Sequence, residues 1–218
     1  MKSVSSIELR RRKTVVRKIL PTLKKLFPNA GMMLKYSNNW ELLVAVELSA
    51  QCTDKKVNEV TAKLFKKCRM LDDYARADRR TFEKDIFQTG FYRNKTKNIL
   101  AAAKMVKEEF HGKLPKTMSE MLTIPGVGRK TANVVLGNAY GIFDGMAVDT
   151  HVRRLARRLG LSRNTDPDKI EQDLLAVLPR HEWFRTTYRL IEYGRKYCPA
   201  RLRDHSHCPL AKYENART

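Results

Sequence analysis

The chain has 218 residues, 42% of them hydrophobic and 31% charged, a length that fits one large domain or two small ones sharing an interface. No apolar run approaches the ~18 residues of a membrane helix. Residues 1–13 lack the apolar core of a secretory signal, and mean hydropathy is -0.52; the sequence reads as soluble and intracellular. Lysine and arginine number 44 against 23 aspartates and glutamates, a net charge of +21 with a pI near 10.1. That excess points to a polyanionic partner, nucleic acid first. Ribosomal-type binding, nuclease-like chemistry and membrane-surface attachment stay open on charge alone. Four cysteines, Cys52, Cys68, Cys198 and Cys208, do not make a disulfide scaffold in a chain this long.

Ser6 to Phe27 predicts a basic helix, stopped by Pro28-Asn29-Ala30-Gly31. Trp40 to Ala50 is apolar on nearly every side, as in a central buried helix; Glu47 interrupts it and is expected to face a cleft or a polar partner. Thr53-Asp54 can cap the next helix, where Val57, Val60, Leu64 and Cys68 form one stripe. Asp78 to Phe87 reads as a short helix closed by Gly90. Phe91 to Phe110 reads as a long one with Ile99, Ala103 and Val106 on one face, closed by Gly112. A short helix over Thr117 to Leu122 leads into Ile124-Pro125-Gly126-Val127-Gly128 and then a helix from Arg129 to about Tyr140. Asp149 to Leu159 turns Val152, Leu155 and Leu159 inward. Arg153, Arg154, Arg157 and Arg158 lie on its other faces, either tracking phosphates or forming a solvated basic surface. Asp166-Pro167 is a cap followed by proline at the first helical position; that helix ends before Pro179, and His181 to Lys196 is the last long one. Strand-type alternation is nearly absent and no 20–50 residue repeat is present. The class is all-α.

The Pro125-Gly126-Val127-Gly128 turn carries the first chemical reading. Glycines allow positive φ and close approach of the backbone to a ligand. The helix that begins there presents unpaired N–H groups and the positive end of its dipole, which suit a phosphate oxygen. Such contacts position nucleic acid without reading its sequence. An ordinary helix–helix turn has the same outline. A P-loop is excluded, because Arg129 precedes Lys130 where that motif needs glycine.

Leu122-Thr-Ile-Pro-Gly-Val-Gly-Arg-Lys-Thr-Ala-Asn-Val-Val135, followed by Ala147-Val-Asp-Thr-His151, resembles the endonuclease III family of helix–hairpin–helix DNA glycosylases. The likeness extends to Leu48-Ser-Ala-Gln-Cys-Thr-Asp54, Thr89-Gly-Phe-Tyr92, Lys97-Asn-Ile-Leu100 and Glu192-Tyr-Gly-Arg195, and spans roughly residues 32 to 198. The resemblance implies a two-lobed all-α fold: a six-helix bundle over 32–143, and a second lobe joining 1–31 to 144–218, with DNA across the cleft between them. It implies a bifunctional glycosylase/AP lyase that removes damaged, oxidised pyrimidines. Lys130 would attack the deoxyribose C1′ as nucleophile, and Asp149 would stabilise the developing positive charge and assist proton transfers. An amine must be neutral to attack; burial in the cleft, the helix N-terminus and Arg129 would favour that form. Asp149 can equally be a helix N-cap.

The same resemblance places a wedge at Gln51 and a second at Phe91, where relatives commonly carry Leu. Gly126, Val127, Gly128, Arg129 and Thr131 would contact DNA, as would His151 and Arg153, with His151 alternatively orienting Asp149. Arg201 and Arg203 could reach the DNA backbone. The expected partner is double-stranded DNA with damaged bases or abasic sites, bound by a monomer. The site of action is the cytoplasm or nucleoid of a prokaryote, or the nucleus of a eukaryote. A non-catalytic helix–hairpin–helix protein and a monofunctional glycosylase are the alternatives.

Most family members end in Cys-x6-Cys-x2-Cys-x5-Cys, which ligates a 4Fe–4S cluster. Counted from Cys198, those places hold Cys198, His205, Cys208 and Glu214. Two thiolates of the usual four are missing, so no cluster is expected. Cys198, His205, His207 and Cys208 have residue types that suit zinc, but their spacing is not a familiar finger, and no metal is expected either. The tail would then be held by packing of Tyr197, Leu202, Leu210 and Tyr213.

Overall fold

The computed structural model describes residues 5–202 and 204–214, and its regular structure is all helical; Arg203 lies outside the described residues. The chain opens with α1 (Ser6–Leu26), capped by the Ser5 hydroxyl, which accepts from the Glu8 N–H. Two compact units follow from the contacts. Met33–Ile142 form one, and residues 1–32 with 143–218 form the other. No described helix is long and apolar enough to cross a membrane.

The Met33–Ile142 unit contains α2 (Asn39–Leu48), α3 (Asp54–Lys67), α4 (Leu71–Ala75), α5 (Arg79–Ile86), α6 (Tyr92–Glu109), α7 (Met118–Met121) and α8 (Arg129–Tyr140). α2 is its axis, buried without interruption from Glu41 to Leu48 and packed by α3, α6 and α8. An apolar helix of this kind is stable only when other helices cover every side. Its start is held reciprocally. The Asn38 side chain accepts from the Glu41 N–H, and the Glu41 carboxylate accepts from the Ser37 N–H. The sequence reading has no helix at 71–75. Five residues are too few for a periodic signal, and α4 is instead organised by Asp73, which accepts from the N–H groups of Arg69 and Met70, and by the buried Tyr74 ring.

In the other unit α1 packs with α9 (Thr150–Arg158), α10 (Pro167–Leu175) and α11 (Trp183–Lys196) around Val16, Ile19, Leu23, Val152, Leu155, Ile170 and Leu190. Arg12 on α1 is buried and bonds Asp173 and Glu8. The last long helix starts at Trp183 rather than His181. A 3-10 turn over Arg180–Glu182 precedes it, because Glu182 is turned inward onto Arg189 and Lys24 while the Trp183 indole donates to the Leu178 carbonyl. The tail is pinned by Leu210, fully buried, with its N–H on the Tyr193 hydroxyl, and by Tyr197 and Tyr213 against the core. Leu202 takes no part in this; it is exposed, which corrects the expectation from sequence.

Candidate active site and nucleic-acid interface

The hairpin between α7 and α8 is seated by its apolar residues. Ile124 and Val127 are buried, and the Val127 N–H closes the turn on the Ile124 carbonyl. Gly126 has φ +85°, and a Cβ there would lie 2.8 Å from Glu47 Oε2 and 2.9 Å from the Asn98 Cβ. Gly128 differs. Its φ of -92° is open to any residue, and a Cβ would meet nothing within 4 Å. Conformation therefore requires glycine at 126, whereas at 128 glycine only keeps the surface bare.

Gly128 is the N-cap of α8, and no side chain caps the first turn. Among the helices of eight or more residues in this unit, only α6 and α8 start without a side-chain cap; Asn38, Thr53 and Asp78 cap α2, α3 and α5. Lys130 stands in that uncapped turn and is solvent-exposed, with Arg129 and Thr131 half-buried beside it. Burial does not contribute to the lysine's environment here, contrary to the expectation from sequence.

Glu47 sits beneath the hairpin. It is 7% exposed, and its Oε1 has no hydrogen-bond partner. Burial pushes its carboxyl up to about 8. Of the cleft or polar partner expected for it, no polar partner is found among the described residues, and its Oε2 lies against Gly126. The sequence signal was an acid late in an apolar helix, away from the Glu41 that serves the helix start.

Gln51 and Phe91 are both exposed, and both lie in the left-handed region, at φ 54° and 48°. Non-glycine residues rarely adopt that conformation unless neighbouring structure holds them there. Here the holder is Lys95, which sequence reasoning passed over. Its buried ammonium donates to the Leu48 carbonyl at the end of α2 and to the Thr89 carbonyl, each at 2.8 Å. Burial lowers its pKa from the usual lysine value. The turns bearing Gln51 and Phe91 are thus tied to one cation. Phe87, 60% exposed, packs at a tilt against Tyr92, the residue after Phe91, and Arg93 lies over the Tyr92 ring.

In the other unit Asp149 is the N-cap of α9, its Oδ1 accepting from the Val152 N–H at 2.8 Å. The segment leading to it is buried, and Glu171 accepts from the Met146 N–H. His151 is half-buried against α11; its Nδ1 lies 3.2 Å from an Arg154 nitrogen and 2.7 Å from where a Cβ on Gly194 would be. Burial lowers the imidazole pKa, with Asp149 opposing. The α9 arginines divide. Arg153 and Arg157 are exposed, whereas Arg154 donates to the Gly194 and Cys198 carbonyls and Arg158 pairs with Glu214. Cys198 and Cys208 are buried free thiols that converge on His205.

A family model described as HhH-GPD superfamily base excision DNA repair protein matches residues 44–180. The Endonuclease III of Synechocystis sp. is 49% identical over 193 residues, covering 88% of each chain. That of Bacillus subtilis is 44% identical over 192 residues, covering 88% of this chain and 87% of the relative. The chain belongs to the endonuclease III family. A solved non-covalent Endonuclease III–DNA complex matches it at TM-score 0.89 and 41% identity, covering 93% of this chain and 95% of that one. A trapped Endonuclease III–DNA covalent intermediate matches with the same values. As a member of this family the chain is an enzyme of base-excision repair, a DNA glycosylase and AP lyase.

Two substitution experiments check the hairpin's construction. Gly126→Ala forces a positive φ on alanine and a clash with Glu47 and Asn98; a loss of about 2–4 kcal/mol is expected in urea unfolding, against about 1 kcal/mol or less for Gly128→Ala. Glu47 keeps a proton up to about 8 that the unfolded chain releases from 4.5, so its presence lowers stability progressively as pH rises through that window. The stability advantage of Glu47→Leu over wild type is therefore expected to grow between pH 5 and pH 8, by up to about 1.4 kcal/mol per pH unit. A constant difference across that range would contradict the buried, neutral carboxyl.

Proposed function

We propose that this enzyme excises oxidised pyrimidines from duplex DNA and cleaves the abasic strand, with Lys130 as nucleophile and Asp149 as its acid–base partner. The Lys130 Nζ forms a bond to C1′ as the glycosidic bond breaks and the base departs with the bonding pair and a proton. The sugar ring opens to a Schiff base. Removal of a C2′ proton then expels the 3′ phosphate oxygen by β-elimination, and water releases Lys130. Asp149 stabilises the positive charge that develops at C1′ and relays protons.

The observation that carries this reading is the setting of Lys130: an exposed amine in the first, uncapped turn of α8, directly after a backbone surface kept bare at Gly128. A phosphate held by those N–H groups would bring the neighbouring sugar to the amine, and the bound strand would supply the desolvation that the free protein lacks. Gln51 and Phe91 fill the space left by the extruded nucleotide, whose unstacking costs a few kcal/mol. Arg153 and Arg157 add phosphate contacts. The enzyme acts as a monomer, and its affinity falls steeply with salt as counterions return to the DNA.

The family's 4Fe–4S cluster does not fit this chain. Such clusters take four thiolates, and the corresponding places hold Cys198, His205, Cys208 and Glu214; no step of the reaction passes through a cluster.

Borohydride trapping on a lesion-bearing duplex is expected to yield a covalent protein–DNA adduct with wild type and none with Lys130→Ala. Excision without trapping would mark a monofunctional enzyme, and binding without excision a non-catalytic one; either overturns the reading. Asp149→Asn preserves a good helix cap, so stability should be unchanged while excision falls about 10²-fold or more. Gly128→Ala should weaken duplex binding while leaving the fold intact.

A further inference from the structure

Beyond α11 the chain brings three potential donors together, with a second thiol, Cys208, beside one of them. Cys198 Sγ lies 3.4 Å from His205 Nδ1, and Cys208 Sγ lies 3.7 Å from the same nitrogen. A Glu214 oxygen joins them: the donor atoms of Cys198, His205 and Glu214 all fall within 4.8 Å of one another. Spacing among cysteines and histidines argued against a metal; the fold brings Glu214, which stands at the last of the four counted places, to the Cys198 thiol and the His205 imidazole. Both thiols are buried and unbridged, and the segment that carries His205 is irregular, so nothing in local secondary structure accounts for the convergence.

We propose that Cys198, His205 and Glu214 hold one divalent cation, zinc by donor chemistry, and that Cys208, 3.7 Å from the same imidazole, swings in to complete a tetrahedral structural site. Zinc bonds of about 2.0–2.3 Å at tetrahedral angles set donor–donor edges of about 3.3–3.8 Å, the range in which the two sulfur–nitrogen separations fall. Two thiolates, one carboxylate and a neutral imidazole leave a bound Zn²⁺ with one net negative charge. Arg158 stands ready to balance it, with Nε 2.6 Å from Glu214 Oε2. The Cys198 backbone is fixed by its carbonyl, which accepts from Arg154, whereas the Cys208 thiol donates to the Tyr197 carbonyl and gives up that bond when it ligates the metal. Binding exchanges the two thiol protons for the metal, so affinity rises with pH. Such an ion would clamp residues 198–214 onto α9 and α11 where family members use a cluster.

Two measurements test this on the full-length protein. Chain expressed in zinc-supplemented medium and dialysed should retain one zinc per chain by elemental analysis. Stripped protein titrated with Co²⁺ should develop a thiolate-to-cobalt charge-transfer band and the intense visible bands of a tetrahedral site, saturating at one equivalent. Glu214→Gln, the mildest change, should weaken Co²⁺ binding at least tenfold, and Cys198→Ser or His205→Ala should abolish the spectrum. No retained zinc together with no tetrahedral cobalt spectrum in wild type would overturn the proposal. So would equal zinc in wild type and Cys198→Ser, or assembly of a stable 4Fe–4S chromophore in wild type after incubation with iron and sulfide. Failure here leaves the reading of Lys130 standing, because borohydride trapping reports on it separately.

Discussion

The working surface of the Met33–Ile142 unit depends on one buried cation. Lys95 reaches from α6 to two backbone carbonyls 41 residues apart in sequence, Leu48 and Thr89, and satisfies both where no N–H is available. A charged donor on a buried carbonyl contributes more than a neutral one, and loss of the ammonium would orphan both acceptors. Its effect is geometric as well as energetic. The two turns that follow these carbonyls carry Gln51 and Phe91 in strained conformations, and they keep that strain because their roots cannot move independently. Exposed side chains on these two turns are thereby presented in a fixed pose, so little ordering of them remains to be done in any contact they make.

A second constraint runs beneath the hairpin. Gly126 turns because only glycine tolerates its φ and its contact with Glu47, and Glu47 stays buried and neutral because α2 offers it no partner. The carboxyl lowers stability, as unpaired buried acids do, and it lies against the loop that binds phosphate in our reading. Apolar anchors at Ile124 and Val127 hold the same loop from the other side. Lys130 and the bare backbone at Gly126 and Gly128 belong to the exposed part of the hairpin, with Leu122 and Thr123.

Much of this was legible in the residues. α2 announced itself by an apolar run interrupted mainly at Glu47, α10 by Asp166-Pro167, and α9 by Asp149 followed by an inward stripe of Val152 and Leu155; each is a local signal with a local cause. α4 was invisible because five residues carry no period. The contacts that shape the site are not local. Nothing adjacent to Lys95 in sequence says that its ammonium turns inward, since a lysine on a helix is most often solvated. Glu47 could be recognised as odd but not as unpartnered. Glu214 could be counted into the four-place spacing, but its approach to Cys198 and His205 depends on how the tail folds back, which no local signal records.

The split among the α9 arginines has a consequence for how this protein's charge should be read. Four guanidinium groups in one short helix look like a uniform positive band, yet Arg154 and Arg158 serve as internal struts while Arg153 and Arg157 face outward. Arg12 and Arg189 are likewise interior fixtures. Formal charge is therefore a poor ruler of footprint: the number of ions displaced on docking counts only the outward groups, and a scaffold of arginine and carboxylate can swell the isoelectric point without lengthening the track of polymer that the molecule covers.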